Sequence, residues 1–152
     1  MGLKAFDSAN RTSSDLSLTS TSWANLDTGL DLTMPTEVGD LIEVGMVGLH
    51  DDGGAADATY VDVVSLVSGS PVNSWSRDAA PTAGHNGTMC WRGQGGEQHT
   101  LGGSVTRKVV SGDLSAGVLT LRFRYKVASG TKTLFATANN PTQVWAKNHG
   151  AA

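Results

Sequence analysis

Residues 118–127 read VLTLRFRYKV, and this decamer decides the fold class. Leu119, Leu121, Phe123, Tyr125 and Val127 fall on one side of a two-residue repeat, with Thr120, Arg122, Arg124 and Lys126 on the other. Such a period belongs to a β-strand that lays one face on a core and turns the other toward water or a partner. Upstream, Asp40–His50 (DLIEVGMVGLH) sets Ile42, Val44, Met46 and Gly48 against Leu41, Glu43, Gly45, Val47 and Leu49. Both of its faces are fairly apolar, which suits a central strand. Tyr60–Val67 is β-branched and alternates in the same way.

Shorter strands are expected at Asp15–Thr19, Ser22–Asp27, Asp31–Met34, Val72–Ser76, Thr88–Arg92, Ser104–Val110, Thr133–Ala136 and Gln143–Lys147. Between them lie turn-forming clusters, among them Asp51–Ala56, Ser68–Pro71, Gly93–Gly96, Ser111–Gly117, Ser129–Thr131 and Asn139–Pro141. No window carries a capped helical stripe, and Ser111–Ala116 has room for one short helical turn. Many short strands with frequent turns make an all-β chain, a single jelly-roll-like β-sandwich.

Two stretches break the pattern. Residues 1–14 are polar, with Leu3 and Phe6 as the apolar anchors, and read as an N-terminal arm preceding a sandwich domain over 15–152. Residues 77–103 hold Pro81, Asn86-Gly87 and seven glycines, and read as a long Gly-rich loop region around a short strand.

The composition narrows the function classes. The chain has 152 residues with 19 Gly, 15 Ser, 16 Thr and a single cysteine, Cys90, so a disulfide scaffold and a multi-cysteine zinc motif are excluded. Its apolar runs are far shorter than the ~20 residues a membrane helix needs, and MGLKAFDSANR has no apolar signal region. The net charge of -3 divides unevenly: residues 1–65 set Lys4 and Arg11 against eleven acids, whereas 66–152 set nine Lys or Arg against Asp78, Glu97 and Asp113. A Greek-key chain interleaves its halves, so acidic and basic strands would neighbour each other, but ordinary solvated faces are the favoured explanation. The overall sign, and the lack of a basic cluster denser than Arg107-Lys108, argue against nucleic acid as a partner.

The residues that carry chemistry are scattered. Asp51, Asp52 and Asp57 on the Gly-rich His50–Asp57 loop supply oxygens suited to a hard cation, but the spacing is not that of an EF-hand. A solvated hairpin loop explains them better. His85, Cys90 and His99 lack the close spacing of zinc ligands, and Cys90 in Met89-Cys90-Trp91 reads as a buried thiol. There is no GxSxG elbow and no phosphate-loop context. The expectation is a protein without an enzymatic site, cofactor or bound metal. Of the four tryptophans, Trp23 and Trp145 sit within expected strands and are expected in the core, while Trp91 beside the Gly-rich loop is a candidate for binding.

The phrases TSWANLDTGLDLTM, VGDLIEVGMVG, VVSLVSGSPVNSW, VVSGDLSAGVLTLRFRYKVASGTKTLFA and NPTQVWAKNHG, over roughly residues 20–149, resemble the small β-rich structural proteins of tailed bacteriophages. The strand grammar is also similar to the trimeric jelly rolls of tumour necrosis factor and complement-type domains. The first resemblance implies a capsid decoration protein bound to the outside of the head, assembled in the bacterial cytoplasm, with the major capsid protein as partner. The second implies a homotrimer. On that reading Leu3 and Phe6 dock the arm, and removing residues 2–14 would end attachment with the fold intact. The alternative is a receptor- or carbohydrate-binding module of a tail fibre or baseplate, with Trp91 and the loops around it as a sugar platform. Neither reading calls for a membrane or a nucleic acid.

Overall fold

The strand signals are realised as thirteen strands in a computed structural model that describes residues 2–53, 58–75, 89–92 (backbone only) and 98–151. In chain order these are β1 (Ala5–Arg11), β2 (Leu16–Leu18), β3 (Ala24–Asn25), β4 (Leu32–Pro35), β5 (Asp40–Asp51), β6 (Ala58–Val67) and β7 (Ser70–Ser74). They continue with β8 (Met89–Arg92), β9 (Gln98–Lys108), β10 (Leu114–Ser115), β11 (Val118–Val127), β12 (Lys132–Leu134) and β13 (Thr142–Ala151). Among the described residues the helical content is two 3-10 turns, Thr28–Leu30 and Ser111–Asp113.

All the pairings are antiparallel, and they build two sheets. In the first, β1 pairs β13, β13 pairs β5 and β9 takes the other side of β5, while β12 extends the line of β13 and carries β2 outside it. In the second, β3 and β4 lie along one side of β11, β10 and β6 pair its other side, and β7 and β8 line the far side of β6. The chain crosses repeatedly between the two sheets and returns its last strand beside its first. This is the jelly-roll sandwich. As its two apolar faces required, β5 is central, paired over eleven residues to β9.

The core forms where the inward faces meet: Ile42, Val44 and Met46 of β5 and Val144 and Ala146 of β13 against Leu119, Leu121 and Phe123 of β11 and Val61 and Val63 of β6. Turn chemistry sets the hairpins. Ser68-Gly69 and Ala116-Gly117 each place two successive residues at positive φ, the primed geometry that matches strand twist.

Three expectations are corrected. From Ala5 to Arg11 the supposed arm is β1, an edge strand paired residue by residue with Thr142–Asn148. Its inward residues are Ala5, Asp7, Ala9 and Arg11, whose small or polar side chains hide the period-two signal. Asp7 Oδ2 accepts the Thr33 amide at 2.7 Å and Arg11 pairs with Asp27 at 2.7 Å, so β1 is stitched across to the second sheet. At the same edge Lys4 Nζ meets Glu37 at 2.7 Å and buried Asp40 at 3.1 Å. Second, the polar face of β11 is not simply solvated: Arg124 is buried and pairs with Asp62 at 2.6 Å, and Arg122 grips Asp31 through two nitrogens. Third, Trp23 and Trp145 lie outside the core. Trp23 is half-buried under the Arg124 guanidinium, 4.8 Å from its ring centre, and under Lys126 at 4.9 Å. The tryptophan in the core cluster is Trp75.

Candidate functional site

The outward positions of the first sheet form a face on which β1 contributes Phe6, Ser8 and Asn10 and β13 contributes Gln143, Trp145, Lys147 and His149. Strand register fixes their neighbours: Phe6 lies opposite Lys147, Ser8 opposite Trp145 and Asn10 opposite Gln143. One strand further in, Trp145 faces Gly45 and Gln143 faces Val47. A Cβ at Gly45 would strike Cζ2 and Cε2 of the Trp145 ring. Glycine is therefore what lets the indole settle onto the sheet.

Between β1 and β13 this leaves an open groove of about 350 Å³, lined by Phe6, Ser8, Asn10, Gln143, Trp145 and Lys147. Charge is confined to its end, where Glu43 holds Lys147 at 3.9 Å and His149 at 3.3 Å.

A second feature is the end of the sandwich near Asp40. Here Leu3 (53% exposed), Val38 (61%) and Val110 (45%) are, with Phe6 (54%), the large apolar side chains left in solvent among the described residues. Val38, Gly39 and Thr106–Val110 line a depression of about 520 Å³. The Gly39 amide donates to the Val109 carbonyl, joining the two segments, and Lys4 bonds Glu37 beside Val38.

The opposite end collects buried ionisable groups. His50 and His99 are cross-strand partners, and His50, wholly buried, sits with Nε2 2.8 Å from Thr59 Oγ1. Burial pulls its pKa down to about 4. Lys132, also buried, donates to the Asp52 carbonyl at 2.9 Å. Asp51 turns its carboxylate onto the Gly53 amide at 2.8 Å, so it closes the turn in the manner of an Asx-turn.

Of the residues singled out in the sequence, Leu3 and Phe6 are exposed as a docking role requires, but they stand on the two different features described above. Trp91 lies on β8 opposite Thr59, and its side chain lies outside the described residues, as do Asp57, His85 and the side chain of Cys90. Among the described residues no three of His, Cys, Asp and Glu come together as metal ligands. Sequence reading missed Trp145 as a surface residue, because strand period alone does not say which face is inward when both carry apolar residues. It also missed buried Asp113, which accepts from Ser65 Oγ at 2.6 Å, Asn73 Nδ2 at 2.9 Å and the Val110 amide at 3.1 Å.

No family model matches the sequence, and no curated protein does. Among solved structures, the chain is similar to Eiger TNF from S. frugiperda, with 6% identity and a TM-score of 0.47 over 97% of this chain and 94% of that one. It is also similar to a chain of the T13 IBDV viral particle, with 10% identity and a TM-score of 0.48. That match covers 99% of this chain and 37% of the viral one, so the chain spans little more than a third of its length. The jelly-roll assignment itself stands on the strand pairing.

Proposed function

We propose that this chain is a non-enzymatic structural protein of a phage virion, a self-associating decoration protein that seats one end of its sandwich on the outside of the head. The observation that carries the reading is the Asp40 end, where exposed Val38 and Val110 line a depression of about 520 Å³. Apolar surface grouped around a concavity, rather than scattered singly, is the mark of a contact site. The partner is the major capsid protein, and the self-association is a homotrimer, as the sequence resemblances imply. The stitched edge at Lys4, Asp7 and Arg11 suits a rigid body that transmits attachment through a fixed surface rather than through a loose arm. Binding many copies to a repeating lattice needs no single tight site, because valency multiplies weak contacts.

The test is light scattering of the purified protein, followed by incubation with empty phage shells. A trimer that coats shells stoichiometrically is expected. A Val38→Asp, Val110→Asp double variant should keep its thermal melt and lose shell occupancy at least tenfold. Unchanged occupancy would remove this end as the docking surface, and a monomer in solution would remove the trimer.

A further inference from the structure

The groove between β1 and β13 lies on the broad face of the first sheet, apart from the Asp40 end assigned to the shell, and its chemistry is different. We infer that it is a binding site for a neutral saccharide. The lining has two components. Phe6 and Trp145 offer aromatic carbon, with the indole seated over Gly45 so that it cannot sink further into the sheet. Ser8, Asn10 and Gln143 offer a hydroxyl and two planar amides, each able to donate and accept. None of these three side chains uses its hydroxyl or amide in a hydrogen bond to the protein among the described residues, although each is part of an ordered strand pair. A ligand that presents a flat C–H face and a rim of hydroxyls satisfies both components together: the ring lies on the aromatic groups and the rim meets the amides.

Charge selects the class. No carboxylate lines the groove, and its one cation, Lys147, stands 3.9 Å from Glu43. A basic peptide would find no carboxylate lining the groove, and an acidic sugar or a phosphate would meet only one lysine, already shared with Glu43. The dimensions fit a short oligosaccharide. Same-face residues on a strand are ~7 Å apart, so Phe6, Ser8 and Asn10 span a trough about two sugar rings long, and about 350 Å³ lies near the lower bound of ordinary small-ligand sites. A second copy of this chain would have to bury the amides of Asn10 and Gln143 against its own face. Its match to the groove is therefore poorer than that of a hydroxylated ring.

The experiment screens the full chain against an array of neutral oligosaccharides of hexoses and N-acetylhexosamines, with titration of each hit followed by tryptophan fluorescence. Saturable binding is expected, weakened at least tenfold by Trp145→Ala and by Gln143→Ala, both checked for an unchanged thermal melt. A blank array, or hits that survive Trp145→Ala, would overturn the site. So would conversion of an oligomer to a monomer by Phe6→Glu, which would show the face to be a contact between copies. Shell binding through the Asp40 end is untouched by any of these results, so the two readings fail separately.

Discussion

His50 shows how a single side chain couples the packing to solution conditions. It points inward from β5, buried beside Thr59 of β6, with His99 of β9, Asp51, Asp52 and Lys132 as the charged or titratable groups around it. Its pKa is lowered to about 4 by burial, against 6.5 for a free histidine. The unfolded chain thus takes up this proton at higher pH than the folded one. The stabilising contribution is fully present above about pH 6.5 and is lost as pH falls toward 4, by up to ~3 kcal/mol. Urea midpoints measured between pH 7 and 4 should fall accordingly. A His50→Gln variant, weaker at pH 7 through the altered contact with Thr59, should show a flatter profile. An equally steep profile in the variant would assign the acid sensitivity to other groups.

At the scale of the element, the strand that decides most is β1. Seven paired residues tie it to β13, Asp7 and Arg11 clamp it across to the second sheet, and Lys4 just before it holds Asp40 of β5. Each net hydrogen bond contributes ~0.5–1.5 kcal/mol against a total stability of ~5–15 kcal/mol. Deleting residues 2–14 therefore does more than remove a docking arm, as the sequence reading had it. It exposes the edge of β13 and uncovers Asp40, which keeps only Asn148 and the Glu37 amide as partners. Thermal melts should show the truncated chain unfolding more than ~10 °C lower or aggregating through the bared strand. A truncated chain that melts like the parent would return these residues to the status of an arm. The element was hard to read because Ala5 and Ala9 supply little hydrophobic contrast, whereas β11, with Leu119, Leu121 and Phe123 on one face, was plain.

For the whole molecule, the decisive fact is that each sheet takes strands from both halves of the chain. β5 of the acidic half lies between β9 and β13 of the basic half, and β6 lies beside β11. The charge asymmetry is spent inside this arrangement: Arg124 on Asp62, Arg122 on Asp31 and Lys147 on Glu43 each join the basic half to the acidic one. A fragment of residues 1–67 holds β5 and β6 without the strands that flank them, and circular dichroism should find it unfolded. A folded fragment would mean that the core is divisible.

The sequence by itself determined the fold class and the pairing of side chains on common strand faces. Alternation in 40–50, 60–67 and 118–127 fixes which side chains share a face, since a strand repeats every two residues whatever its neighbours. Turn signals such as Ser68-Gly69 depend on local backbone freedom and are legible for the same reason. Which of two apolar faces turns inward is a property of the sheet opposite, so only the tertiary structure placed Trp145 on the outer face, seated over Gly45 and opposite Ser8. The partners of Asp113, Asp62 and Asp40 likewise come from strands distant in the chain, and no local pattern encodes a contact across that distance.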